Sequence, residues 1–273
     1  MKKSSLVICL VFALGIAVLL YPLVSAFVSK KTSTAAVTDY QTAVQTIDTG
    51  ARDAMLAAAK AYNAKLAGSV TAQSAADAQN KAYQTMLNVD GIMGYLDIPR
   101  IQIHLPIYHG VEEQALQKGV GHLPESSLPV GGASTHAVLS AHCGLPSARL
   151  FTDLDQLQQG DLFFVHVLDK TLTYKVDQIQ VVLPEEVSTL AIVPTADYIT
   201  LLTCTPYGVN SHRLLVRGVR TADVPQAETQ RKATQTPVQK QAETHALWWP
   251  WLLAIGIVAL CLRKAKQKRS ARR

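Results

Sequence analysis

Two apolar runs, one near each end of the chain, limit where everything between them can fold. Leu6 to Val28 is 23 residues long, broken late by Tyr21-Pro22, and exceeds the roughly 20 residues that cross a bilayer. Val24-Ser25-Ala26 resembles a small-residue cleavage site, so a cleaved signal peptide is the alternative to a retained anchor. The run is longer than the roughly 7–15 residues of a signal-peptide core, and residues 1–31 are expected to be an uncleaved signal anchor. The second run opens at Trp248-Trp249-Pro250-Trp251, and Ala246 to Leu262 counts 17 residues, the lower limit for a span. Lys2-Lys3 and Lys30-Lys31 balance one another across the first run and do not orient it. The second run is flanked by interfacial tryptophans on one side and a basic tail on the other, which places the tail in the cytoplasm. Two spans then put both termini inside and everything between them outside.

Charge follows the same layout. Of the 26 Lys and Arg, seven lie in Arg263–Arg273 and two are Lys2 and Lys3, which leaves 17 against 20 Asp and Glu. The net charge of +6 therefore belongs to the tips. A nucleic-acid partner needs a basic face on the folded domain, and none is visible. Of the 4 cysteines, Cys9 and Cys261 fall inside the apolar runs. Cys143 and Cys204 remain, and one possible pair is no disulfide framework; it favours a working thiol.

Between the spans the hydrophobic period changes once. Residues 32–90 carry helical spacing: Val44, Ile47, Ala51, Met55 and Ala58 on one face, then Tyr62 and Leu66 as an i, i+4 pair. Gly68-Ser69 is expected to break this helix, and Ala75 to Leu87 to form a second. From Gly91 the pattern is that of strands: Tyr95–Ile98, Gln102–Tyr108, His136–His142, Asp161–Val167, Thr171–Val182, Ile199–Cys204 and His212–Val219. Prolines and glycines punctuate them, so residues 91–222 are mainly β, a barrel or a sandwich. Short helices are expected at Glu112–Lys118 and Leu150–Leu157. Residues 223–246 are polar and aperiodic, a linker; 247–262 form the second transmembrane helix and 263–273 the basic tail.

Three residues carry chemistry. Cys204 ends one strand and Arg213 begins the next, across a Pro206/Gly208 turn, so they can face one another. His142 is expected to close the His136–His142 strand. A thiol, an imidazole and a fixed cation at strand ends are a nucleophile, a proton shuttle and an oxyanion partner. Strand position alone does not separate His142 from His136 or His166. His212 should point to the opposite face of its strand from Arg213, whereas Arg217 shares that face and is expected to be structural. Thr203 and Leu201, beside the cysteine, are the candidate substrate-binding residues, with Thr203 alternatively orienting the thiol. No cofactor is expected: Asp153, Asp155 and Asp161 are poorly spaced for calcium, and no Gly-rich phosphate loop is present.

Thr200-Leu201-Leu202-Thr203-Cys204 with Arg213 nine residues on resembles the TLxTC…R signature of the sortases. Leu128-Pro129-Val130-Gly131-Gly132, Ala141-His142-Cys143-Gly144-Leu145-Pro146, Leu150-Phe151-Thr152-Asp153-Leu154-Asp155 and the second span resemble the pilus-assembling class C branch. The resemblance selects His142 among the histidines. It implies an eight-stranded sortase barrel and a Cys204 thioester formed by cleaving a motif like Leu-Pro-x-Thr-Gly. It further implies transfer of the acyl group to an amine, in class C the lysine of another pilin. Partners implied are pilin or surface-protein substrates, the acceptor lysine and the membrane. A housekeeping sortase that anchors proteins to peptidoglycan and a non-catalytic scaffold that binds sorting signals are the alternatives. Two features depart from the family. No Asp-Pro-aromatic lid tripeptide occurs between Thr71 and Asp97, so the lid is absent or Tyr83 or Met86 serves otherwise. Cys143 stands where arginine is common, and on a strand it would face away from His142 in a packing role.

Overall fold

The computed structural model describes residues 3–67 and 81–222. The second apolar run, the polar linker, the basic tail and the beginning of the expected Ala75–Leu87 helix lie outside the described residues. The described residues fall into two units, one holding the chain up to Tyr21 and the other starting at Pro22. Helix α1, Lys3–Thr46, continues through residue 31 without a break. Its stretch Val11–Thr46 is long and apolar enough to cross a membrane, with a mean hydropathy of 2.4 over its most apolar 18 residues. Further along, Val37, Tyr40 and Val44 are buried at helical spacing. The Tyr40 hydroxyl donates to the Met93 carbonyl at 3.1 Å and accepts the Leu168 N–H at 2.8 Å. One phenol thus fastens α1 to two parts of the β-domain.

The expected helix through Val44–Ala58 is interrupted. Helix α1 stops at Thr46, and α2, Thr49–Ala67, starts anew. The Asp48 carboxylate accepts the N–H groups of Gly50 at 2.8 Å and Ala51 at 3.3 Å, an N-terminal cap that overrides the hydrophobic period. Rotation about this break leaves Ala51 and Ala58 exposed and buries Leu56, Ala59, Asn63 and Leu66 instead. Asn63 is held by both ends of its amide: it donates to the Leu128 carbonyl at 2.9 Å and accepts the Leu128 N–H at 2.7 Å. The short helix α3, Lys81–Thr85, carries Tyr83, which is 1% exposed. Its oxygen accepts the Gly110 N–H at 3.0 Å and its O–H reaches His122 Nδ1 at 2.8 Å. The other ring nitrogen of His122 lies 2.8 Å from the Ser127 carbonyl, so Nε2 carries the proton.

The strands are β1 Ile92–Ile98, β2 Ile103–His109, β3 Val120–His122, β4 Thr135–Ser140, β5 Leu162–Val167, β6 Lys170–Val182, β7 Asp197–Thr205 and β8 His212–Arg220. They close into a barrel in the order β1-β2-β3-β4-β7-β8-β6-β5, the eight-stranded fold that the resemblance implies. The pairs β2/β3 and β4/β7 are parallel and the others antiparallel. Strand β3 was not expected. It is 3 residues long with a glycine at its centre, too short to show a period. Of the expected short helices, the first is α4, Glu113–Leu116, and the second a single 3-10 turn, Leu154–Gln156. Leu96, Ile98, Ile107, Leu139, Phe163, Val165, Leu201 and Val216 fill the barrel, each fully buried. Gly94 has a close-approach reason to lack a side chain: a Cβ there would lie 2.2 Å from the His166 carbonyl oxygen.

Candidate active site

Strand alternation and register decide which side chains meet. On β7 and β8, Leu201 pairs with Val216 and Thr203 with Leu214, all four buried toward the barrel interior. Cys204 pairs directly with Arg213, and paired residues project from the same face of a sheet. Cys204 and Arg213 therefore stand together on the outer face, near the end of the barrel, both half-buried. Strand β4 runs parallel to β7 with Ser140 beside Leu202. The pairing persists beyond the end of β4, because the Ala141 N–H donates to the Leu202 carbonyl at 3.2 Å. His142 follows two residues after the Ser140–Leu202 pair on the β4 side, and Cys204 two residues after it on β7. All three sequence-derived residues thus come to one end of the barrel.

His142 does not close a strand as expected. Strand β4 ends at Ser140, and the chain turns away through Gly144, whose φ of +76° suits glycine. A Cβ on Gly144 would also come within 2.9 Å of the Tyr207 ring, so the turn after β4 and the β7–β8 turn lie in contact. The Phe151 N–H donates to the His142 carbonyl at 3.0 Å, which fixes the backbone at the imidazole. The imidazole Nε2 is 3.2 Å from the Glu113 carboxylate. Glu113 was not among the residues singled out from sequence: α4 was anticipated, but only the closed barrel brings it to residue 142.

The Arg213 guanidinium donates from Nη1 to the carbonyls of Asn210 at 3.1 Å and His212 at 3.0 Å. That grip holds it over the turn and leaves its other donors for a ligand. Arg217, on the same strand face, is spoken for: its Nε and Nη2 meet the Asp177 carboxylate at 3.1 and 2.6 Å, and its guanidinium lies 4.2 Å from the Tyr198 ring centre.

The two candidate substrate-binding residues are placed elsewhere. Leu201 is 0% exposed in the barrel core, so it presents no surface to a substrate. Thr203 is 2% exposed, and its hydroxyl donates to the Ala141 carbonyl at 2.7 Å. It ties the strand end that carries Cys204 to the one that carries His142, which is an orienting position. Both placements have one cause: the faces of β7 alternate, and positions 201 and 203 fall on the inner one.

Cys143 lies past the strand rather than on it, half-buried with a free thiol. Burial, with Asp155 and Cys204 nearby, pushes that thiol above its ordinary value, so it stays protonated near neutrality. His136 donates to the Ala191 carbonyl at 2.9 Å and accepts from Thr200 at 2.7 Å, and His166 pairs with Asp97 at 3.1 Å. Those two rings serve the framework. Tyr83, anchored to His122, is engaged there and not at the cysteine.

Known proteins resemble this chain in sequence and in fold. Residues 96–221 match the family model described as "Sortase domain". A curated relative, Sortase A of Streptococcus agalactiae serotype III, is 30% identical over 147 residues, 53% of this chain and 57% of the relative. The chain thus spans little more than half of that relative's length. Among solved structures, Sortase C1 of GBS Pilus Island 1 is 47% identical at a TM-score of 0.66, covering 70% of this chain and 93% of the other. Streptococcus pneumoniae Sortase C is 43% identical at a TM-score of 0.64, over 70% and 98%. A closed barrel with cysteine, histidine and arginine at one end, and likeness of this extent to sortase C structures, place the chain in the sortase family of cysteine transpeptidases, on its class C branch.

Proposed function

We propose that the chain is a membrane-anchored class C sortase that joins pilin subunits through a thioester on Cys204. The Cys204 thiolate adds to the threonine carbonyl carbon of a Leu-Pro-x-Thr-Gly-like motif. Arg213 steadies the oxyanion with its remaining donors. As the Thr–Gly C–N bond breaks, the His142 imidazolium gives its proton to the departing glycine amine. A lysine amine of another pilin then attacks the thioester carbonyl, His142 takes the proton that amine releases, and the thiolate leaves. The product is an isopeptide bond. The N-terminal apolar helix anchors the enzyme, with the barrel outside the cell and both termini in the cytoplasm.

The observation that supports this proposal is the shared end of β4, β7 and β8: Cys204 pairs with Arg213, and His142 follows two residues after the Ser140–Leu202 pair. The surroundings suit an apolar sorting motif. Val182 pairs with Arg213, so the chain leaving β6 passes the same end of the barrel, and its Leu183, Val187 and Val193 are exposed. Tyr207 and Val209, on the β7–β8 turn, add to that apolar rim. Pilins are tied to both solved neighbours: the Streptococcus pneumoniae Sortase C structure bears on pilin substrate specificity, and Sortase C1 belongs to a pilus island.

The test uses the full chain in detergent, incubated with a Leu-Pro-x-Thr-Gly peptide and followed by intact mass. The expected result is an acyl adduct on the wild type and none on Cys204→Ala, with ligation to a pilin lysine. An adduct resolved only by a peptidoglycan stem peptide would instead identify an anchoring enzyme. Peptide binding without an adduct would leave a scaffold.

A further inference from the structure

We propose that Glu113 is the positioning residue of His142. The proposal rests on the proton-shuttle role given to His142 above. Helix α4 sits over the end of β4 because β3 leaves it room: a Cβ on Gly121 would lie 2.9 Å from the Leu116 side chain and 2.4 Å from the Gly110 carbonyl oxygen. The first residue of α4 is therefore brought to the imidazole. Both oxygens of its carboxylate are engaged. Oε1 accepts the Gln117 amide N–H at 2.8 Å, one helical turn on, and Oε2 lies 3.2 Å from His142 Nε2. The Gln117 bond, and then the imidazole, hold the Glu113 carboxyl below its usual range, so it is ionised at neutral pH.

Two consequences follow for the imidazole. A carboxylate can only accept, so Nε2 carries a hydrogen and Nδ1 is the nitrogen that exchanges protons with sulfur and amine. The same contact also holds the ring in one orientation, with Nε2 turned to the helix. Histidine oriented by a carboxylate is a general device for fixing the ring and its tautomer. Here it acts from a surface helix, with Glu113 62% and His142 29% exposed. Solvent screens such a pair, and its effect on rate is about two- to fivefold rather than orders of magnitude.

The test measures thioester formation by the full chain in detergent at two salt concentrations. Glu113→Gln is expected to lower the maximal acylation rate about two- to fivefold at unchanged KM. The deficit should shrink at about 1 M salt, where screening reaches ~3 Å. Gln117→Ala, which frees the carboxylate, should give a smaller fall of the same kind. An unchanged melting temperature in Glu113→Gln would separate these effects from a loss of fold. A wild-type rate in Glu113→Gln would overturn the proposal, as would a deficit that ignores salt and raises KM. His142→Ala distinguishes the two levels. If it still forms the thioester, the assignment of His142 falls and Glu113 with it; if it is inactive while Glu113→Gln matches wild type, only the role of Glu113 falls.

Discussion

His122 makes the fold sensitive to acid in a way that can be worked out. It is fully buried, and burial pushes its imidazole down from 6.5 to about 4, with the Ser127 carbonyl opposing the shift. The folded value lies below the unfolded one, so the unfolded chain binds the proton more readily. Stability from this group is complete above pH ~6.5 and is lost as pH falls from there toward ~4. At pH 5.0 an unfolded imidazole is almost fully protonated and this folded one almost fully neutral, a difference of about 1.5 pH units of free energy. At about 1.36 kcal/mol per unit, that is ~2 kcal/mol lost between pH 7.5 and 5.0. Burial also lowers His109 and His136, which add to the loss in the same direction. Urea unfolding of wild type and His122→Gln in detergent at the two pH values isolates the term, because all other groups titrate in both. The variant should lose about 2 kcal/mol less than wild type on acidification. Equal losses would show that His122 is not held neutral by its burial against Tyr83 and Ser127.

Three further outcomes are expected. Thr203→Val removes the hydroxyl bond to the Ala141 carbonyl; it should cost about 1–2 kcal/mol in chemical denaturation and slow thioester formation, and a wild-type rate would argue against Thr203 as an orienting residue. Asn63→Ala strips both partners from the Leu128 backbone and should cost about 2–4 kcal/mol; a loss under 1 kcal/mol would mean that water replaces the amide. Asp48→Ala removes the α2 cap and should cost ~1 kcal/mol without altering thioester formation; a slowed reaction would show that the helices steer the site.

The barrel was legible because each long strand carries its own period and each break its own proline or glycine. Strand β3 was not, since Val120-Gly121-His122 becomes a strand only by pairing with β2 and β4. Asp48 was legible in principle: an aspartate before Thr49-Gly50 is a cap, but the apolar spacing across it suggested one helix. The cysteine, histidine and arginine could be named because their local motif is specific. The inward facing of Leu201 and Thr203 was not legible for want of a register, since alternation shows that neighbours differ in facing but not which set faces inward. Glu113 was hidden for a different reason. It is 29 residues from His142 in sequence, on a helix of 4 residues, and nothing local marks an exposed glutamate as the neighbour of a distant ring.

The parallel join between β4 and β7 has an evolutionary corollary. The proposed proton shuttle and nucleophile are delivered by two backbones locked side by side through Ala141, Leu202 and Thr203. Much of the chain between them loops out and returns. Such excursions can lengthen, shorten or change chemistry without moving the sulfur relative to the ring, provided the closing strands stay in step. A lineage of enzymes built this way can trade one cargo for another by editing its loops, while the reaction at the seam stays the same.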